Sequence, residues 1–167
     1  MPSDLTVVVP TIGRRTLTRT VDSILDQTVP CEYLVVSDLA RNGTGPTQNL
    51  ACESVATTYV GFVGDDDRLD IRYHEWMLDV GEFDLLVFTM QYPGGVILPQ
   101  SGTEPGDLSF GSVGGSYVIR TELVRAHPFI TEDATAGLNE DWWMIRTLRD
   151  AGAKVVVSPR IAYFVRH

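Results

Sequence analysis

The chain has 167 residues, of which 44% are hydrophobic and 21% charged, enough for one domain with a full core and no need of disulfides or a structural metal. That composition excludes a disordered chain, a collagen-like repeat and a disulfide-stapled miniprotein, and the longest near-apolar stretch, Leu85 to Met90, is far short of the roughly 20 residues that span a bilayer. The net charge of −9 argues against a protein whose main affinity comes from neutralising nucleic-acid phosphates, but a small anionic ligand remains compatible with it where a cation or local amides reverse the sign.

Short apolar runs alternate with longer amphipathic ones. Leu5 to Val9 is a β-branched run stopped by Pro10 and reads as a buried strand. Leu17, Val21, Ile24 and Leu25 recur at helical spacing, predicting a helix from Thr16 to about Gln27 that Pro30 ends. Tyr33 to Ser37 reads as a second strand closing on Asp38, and the polar loop Asn42 to Pro46 follows. Thr47 to Thr57 reads as a helix. Tyr59 to Val63 reads as a third strand that runs straight into Gly64-Asp65-Asp66-Asp67.

This βαβαβ order favours a parallel sheet with right-handed crossovers and helices on both faces. Ligands on such sheets bind outside the carboxyl ends of the strands. Three segments are therefore singled out: Pro10 to Arg15, Asp38 to Gln48, and Gly64 to Arg68. Farther on, Asp70 to Val80 reads as helix and Asp84 to Met90 as strand. Tyr92 to Gly115, rich in Gly, Pro and Ser, reads as loops and short antiparallel strands. Ser116 to Ile119 reads as strand, Thr121 to His127 as helix and Thr131 to Gly137 as polar loop. Asn139 suits an N-cap for a helix over Glu140 to Ala151, with Gly152 as its stop. Lys154 to Val157 and Ile161 to Val165 read as closing strands. There is no internal repeat, and no linker divides the chain.

Three adjacent carboxylates, Asp65 to Asp67, repel one another unless a cation sits among them. Hard divalent ions such as Mg²⁺ or Mn²⁺ take oxygen ligands and bridge to substrate phosphates. The other reading is a solvated acidic turn that caps the next helix. Glu140-Asp141 opens a helix, where the macrodipole alone can explain two acids; alternatively, one is a general base at a pocket edge. Trp142 and Trp143 diverge by about 100° on that helix, so one can pack in the core while the other lines a site. Asp38 suits either a nucleobase or ribose contact or an Asx turn. Thr11, Gly13 and Arg14 lie where amides and a guanidinium meet a diphosphate. His167 is a candidate metal ligand, and His74 and His127 are assigned no role.

From Trp142 to His167 the chain carries +4, leaving −13 for the rest. That basic end reads either as an anion contact or as a solvated helix face with strand ends. Cys31 and Cys52 lack any Cys-x-x-Cys spacing and are expected as buried thiols in a reducing compartment. The N-terminus has no secretory signal pattern. A cytoplasmic location without a membrane anchor is the expectation.

In order along the chain, Val8-Val9-Pro10-Thr11, Leu17 through Ser23-Ile24-Leu25-Asp26-Gln27, Val36-Ser37-Asp38, Asp65-Asp66-Asp67 and Glu140-Asp141 resemble glycosyltransferase family 2, of GT-A fold. Gln48-Asn49-Leu50-Ala51 is similar to the family's Ala-Arg-Asn segment, Gly152 to Val155 to its Gly-x-Lys turn, and Tyr163 to His167 to an ending in which a His meets metal or diphosphate. The likeness covers nearly the whole chain, as a minimal-length member.

The resemblance implies a Rossmann-like, mostly parallel central sheet with helices on both faces and a short antiparallel element. It implies one domain over 1–167, with 1–90 as the nucleotide-sugar half and 91–167 as the acceptor and catalytic half. Pro10, Thr11, Arg14, Asp38, Gln48, Asp65 and Asp66 are implied as donor-binding residues. Asp67 is the implied direct ligand of Mn²⁺ or Mg²⁺, with Asp65 and His167 as further ligands, and Asp141 is the implied base with Glu140 beside it. Gly64 stands where the family often has Asp, and Gln48 where Arg is common. The implied activity is metal-dependent, inverting transfer of a sugar from a nucleotide-diphosphate sugar, with a UDP-sugar expected, to an acceptor hydroxyl on a glycan, lipid-linked carrier, protein or modified nucleic acid. The chain ends at His167, so the acceptor side is expected to be completed by a partner or a second copy. Two alternatives stand beside this reading. One is a nucleotidylyltransferase, against which the single glycine of Pro10 to Arg15 counts. The other is a non-catalytic nucleotide- or glycan-binding domain.

Overall fold

The computed structural model describes residues 4–130 and 140–166. The predicted loop Thr131–Gly137, the N-cap Asn139 and the terminal His167 lie outside the described residues. The first half follows the predicted order: β1 (Leu5–Thr11), α1 (Leu17–Leu25), β2 (Glu32–Ser37), α2 (Thr44–Ser54) and β3 (Tyr59–Phe62). β2 and β3 flank β1, and both pair with it in parallel.

The remaining strands are β4 (Arg68–Leu69), β5 (Leu85–Gln91), β6 (Ile97–Leu98), β7 (Tyr117–Arg120) and β8 (Val155–Phe164), interspersed with α3 (Tyr73–Asp79), α4 (Thr121–Ala126) and α5 (Glu140–Asp150). The eight strands of the described residues form one sheet in the order β2-β1-β3-β7-β5-β8-β4, with β6 also on β5. β7 runs antiparallel to both β3 and β5, β8 runs parallel to β5, and β4 and β6 run antiparallel to their partners. Most strands thus share one direction, and the antiparallel β7 is inserted in the middle.

Each face of the sheet carries its own core. Leu5, Val7 and Val9 of β1 pack with Ile24 of α1 and Tyr73 and Met77 of α3. Val8 turns to the opposite face, where it joins Ala51 and Cys52 of α2, Val124 of α4, and Met144, Ile145 and Leu148 of α5. The alternation along β1 follows from the period of two in a strand, and a largely apolar run, broken only by Thr6, is what burial on both faces demands.

Several boundaries differ from the sequence reading. α2 starts at Thr44 rather than Thr47, because Gly43 turns the chain at φ 104° and Pro46 sits in the first turn, where its missing N–H is not needed. α3 starts at Tyr73 rather than Asp70, because Arg68–Leu69 pair with β8 and Asp70 accepts the Arg72 N–H in a turn. The two predicted closing strands are a single β8, whose register against β5 shifts past Ser158, where Pro159 interrupts the ladder. Cys52 is buried, Cys31 only partly so, and burial pushes their thiols up to about 12 and about 11.

Gly61 in β3 allows Tyr73 to lie flat against the sheet: a Cβ there would sit 2.7 Å from the Tyr73 hydroxyl. That hydroxyl is fully buried and has no hydrogen-bond partner among the described residues. Removing an orphaned buried polar group is favourable, so Tyr73→Phe is expected to raise unfolding stability by about 1 kcal/mol in urea denaturation. Gly61→Ala is expected to destabilise the parent and to be tolerated better in the Tyr73→Phe background.

Candidate active site

The acidic turn after β3 is held from three sides. From the β1 loop, Thr11 Oγ1 donates to Asp65 Oδ2 at 2.7 Å, the Ile12 N–H reaches the same oxygen at 3.2 Å, and Arg14 Nη1 meets Asp65 Oδ1 at 2.8 Å. Arg14 also pairs with Asp66 Oδ2 at 3.1 Å. From α1, Thr16 Oγ1 donates to the Asp65 carbonyl at 2.7 Å and Thr20 Oγ1 to the Asp67 carbonyl at 2.6 Å. From the end of β8, Tyr163 Oη donates to Asp67 Oδ2 at 2.6 Å, and the N–H of Arg166, with left-handed backbone at φ 52°, donates to Asp67 Oδ1 at 2.7 Å.

These contacts divide the three aspartates by task. Asp65 is buried and held by the β1 loop, with two donors on Oδ2 and Arg14 on Oδ1, so it clamps β1 to β3. Asp67 accepts one bond on each oxygen and keeps lone pairs toward the cleft. Burial raises its pKa, and the Tyr163 and Arg166 donors partly offset that rise.

The cleft has a volume of about 570 Å³ and opens at the carboxyl ends of β1, β3 and β5. Its lining brings together Pro10, Thr11, Arg14, Asp38, Gln48, Asp65, Asp66, Asp67, Glu140 and Asp141. The residues implied as donor-binding, metal-binding and catalytic therefore share one cavity, except His167, which is outside the described residues; Gly13 does not line it. Their surroundings differ. Asp38 accepts the Asn42 and Gly43 N–H groups, one on each oxygen, which shapes the loop after β2 and lowers its pKa. Gln48 on α2 is buried, and its Oε1 has no hydrogen-bond partner among the described residues.

On the opposite wall, α5 presents Glu140 and Asp141. Glu140 Oε2 accepts the Gly45 N–H at 3.1 Å; a Cβ on Gly45 would lie 2.9 Å from the Ile130 carbonyl and 3.1 Å from Glu140 Oε2, so α2 sits this close to the chain after α4 and to Glu140 only with glycine there. Burial, then the adjacent Asp141, pushes the Glu140 carboxyl up to about 7. Asp141 is raised by burial, against the effect of Tyr117, whose hydroxyl donates to Asp141 Oδ1 at 2.6 Å. Neither tryptophan lines the cleft. With the two acids turned inward, the helical rotation places Trp142 against the core and leaves Trp143 41% exposed.

Sequence reasoning missed Tyr92 and Tyr117. Tyr92 follows β5, and its hydroxyl feels the charge of both Asp67 and Asp141. Among the described residues its hydroxyl donates to the Met90 sulfur at 3.7 Å. The strand-end rule that picked out Asp38 and the acidic turn applies to Tyr92 equally. Gly114 leaves room for it, since a Cβ would lie 3.1 Å from that hydroxyl and 2.6 Å from the Met90 sulfur. No signal in the sequence marks Tyr117, an aromatic residue in a buried strand.

A carboxyl whose pKa is raised by folding destabilises the native state as pH climbs from its unfolded value toward its folded one. Glu140→Gln keeps an acceptor for the Gly45 N–H and removes that charge. Relative to the parent, the variant is expected to gain stability as pH rises from about 4.5 to about 7, with little difference below that window. Urea unfolding at pH 4.5 and pH 8 measures this.

No family model and no curated protein matches the sequence. Solved structures do. S. aureus TarS 1-349, also solved in complex with UDP-GlcNAc, is 19% identical with a TM-score of 0.75, over 99% of this chain and 60% of that one. The mannosyltransferase PcManGT from Pyrobaculum calidifontis, in complex with GDP-Man and Mn²⁺, is 13% identical with a TM-score of 0.69, over 99% of this chain and 57% of that one. Glucosyl-3-phosphoglycerate synthase from Mycobacterium tuberculosis, in complex with Mn²⁺, UDP and phosphoglyceric acid, is 15% identical with a TM-score of 0.69, over 99% and 71%. The chain therefore spans about 60% of the length of TarS 1-349. Among the described residues no helix is long and apolar enough to cross a membrane. What the likeness shows is the architecture: this chain has the GT-A glycosyltransferase fold.

Proposed function

We propose that this chain is a family 2-like, inverting glycosyltransferase that binds a nucleotide-diphosphate sugar in the cleft and transfers the sugar to an acceptor hydroxyl. The observation that carries this reading is the facing arrangement of two carboxylates. Asp67 stands on one wall with open lone pairs, Asp141 stands on the other with Oδ2 open, and the Tyr92 hydroxyl lies within the field of both. In this reading residues 1–90 hold the donor, and 91–167 supply the base and the acceptor side.

The donor set suits a divalent ion shared with phosphate. Among the described residues no three acidic, His or Cys side chains converge, so the protein offers Asp67, with Asp66 beside it, as hard oxygen ligands. Magnesium-like ions that keep waters and substrate phosphates as their other ligands need only one or two carboxylates. When bound, Mn²⁺ or Mg²⁺ supplies positive charge to the leaving diphosphate. Arg14, already paired with Asp65 and Asp66, adds a cation at the same corner. The acidic net charge is then no obstacle to an anionic donor.

Asp141 Oδ2 takes the proton of the acceptor hydroxyl. The freed oxygen attacks the anomeric carbon as the bond to the diphosphate oxygen breaks, and its electron pair leaves with the nucleotide diphosphate. One displacement inverts the configuration. Gly115 leaves the approach to Asp141 free, since even a Cβ there would stay 3.9 Å from Oδ1. Gln48, with its unpartnered Oε1, supplies a polar contact to the donor where a guanidinium would otherwise meet phosphate.

A second reading, nucleotide-sugar binding without transfer, draws on the hold of the β1 loop on both oxygens of Asp65. Two experiments separate the readings. A thermal-shift panel of nucleotide sugars with and without Mn²⁺ is expected to find a donor that raises the melting temperature only with metal. Asp67→Asn is expected to abolish that metal-dependent increment, and an unchanged increment overturns the metal assignment. With the donor so found and a panel of glycan acceptors, Asp141→Asn is expected to keep the thermal shift and to lower release of the nucleotide diphosphate by about 10²–10⁴-fold, the range of a general base. Parent-like turnover in that variant removes Asp141 as the base, and no turnover by the parent protein favours the binding-only reading.

A further inference from the structure

Two tyrosines at the floor of the cleft are used in the same way. Tyr163, from β8, donates to one oxygen of Asp67 at 2.6 Å. Tyr117, from β7, donates to one oxygen of Asp141, also at 2.6 Å. Both rings are buried, Tyr117 completely. β7 is antiparallel to β3 and β5, so its first residue, which pairs with Val87 of β5, stands toward the end of the sheet where β3 finishes. The aromatic packing of Tyr117 on Phe62 and Phe129 fixes the ring and leaves the hydroxyl one direction to point.

A buried phenol needs a hydrogen-bond partner, and a main-chain carbonyl would satisfy it. Its partner here is instead a carboxylate that opens onto the cleft. Short bonds of this kind to a charged acceptor are about twice as strong as neutral ones. They also fix which oxygen is occupied: Oδ1 is taken and Oδ2 is left open.

We propose that Tyr117 is a positioning residue for the transfer reaction: its hydroxyl holds Asp141 in one rotamer, with Oδ2 toward the acceptor, and keeps the carboxyl ionised so that it can accept a proton. This rests on the assignment of Asp141 as the base. The groups that face Asp141 are Tyr117 from β7, Glu140 from α5 itself, Tyr163 from β8 and Tyr92 after β5. Burial opposes ionisation, and Tyr117 is the donor that favours it.

The test compares the parent with Tyr117→Phe, which removes one oxygen atom and keeps the ring. Aspartate is labelled with ¹³C at the carboxyl carbon, and the Asp141 signal is assigned by its loss in Asp141→Asn. Its titration is followed by NMR without any ligand. Loss of the phenol hydrogen bond is expected to raise the Asp141 midpoint by about one pH unit, a tenfold change in acid dissociation. The acidic limb of the rate profile is expected to move with it, with kcat lowered and donor KM unchanged. Should Tyr117→Phe fail to fold, 3-fluorotyrosine placed at 117 alone donates more strongly and is expected to lower the midpoint instead. A midpoint that stays put in a folded variant overturns the proposal. The titration needs no substrate, so its failure is distinct from a failure of the base assignment, which the transfer assay of Asp141→Asn reads.

Discussion

Three consecutive carboxylates at the end of a strand constrain everything around them. Two unit charges about 4 Å apart repel by about 4 kcal/mol at the effective dielectric of a protein surface, so the turn stands only if donors converge on it. They arrive from three elements: the β1 loop, the first turns of α1, and the end of β8. The fold can thus be read outward from this turn. β1 and β3 must be neighbours for Thr11 and Arg14 to reach Asp65, and β8 must end beside them for Tyr163 and Arg166 to reach Asp67.

The same contacts set apart aspartates that are adjacent in sequence. Asp65 is clamped by the β1 loop, Asp66 pairs with Arg14, and Asp67, whose pKa burial raises, lines the cleft. Across the cavity, Glu140 and Asp141 show a similar split. Glu140 ties α5 to α2 through the Gly45 N–H, while Asp141 keeps an oxygen free. Burial raises the carboxyl pKa values on both walls, and groups shifted in this way cluster at functional sites.

The antiparallel β7 gives the cleft its floor. By entering the sheet in the opposite direction, it brings Gly114, Gly115 and Tyr117 to the end where the parallel strands finish. A parallel strand in that slot would present its C-terminal residues there instead. The glycines keep the floor low enough for Met90 and Tyr92, and the tyrosine anchors Asp141. The irregular passage after β5, from which no function could be read in the sequence, is therefore what shapes the half of the cavity facing Asp141.

The elements of the first half were legible because their cause is local. A β-branched run ended by Pro10, a 3.6-residue period over Leu17 to Leu25, and an apolar run ended by acids each state their conformation within a few residues. The strand-end rule then gathered Thr11, Arg14, Asp38, Gln48 and the acidic turn into one place, and the structure puts them in one cavity. What stayed hidden depends on partners far along the chain. The direction of β7, the joining of two runs into β8 across Pro159, and the two-residue β4 are decided by pairing, on which periodicity is silent. The roles of the aspartates were hidden for the same reason: Asp65 and Asp67 are the same residue two positions apart. Only the residues that tertiary folding brings alongside, Arg14 for one and Tyr163 for the other, make one a clamp and leave the other open to a ligand.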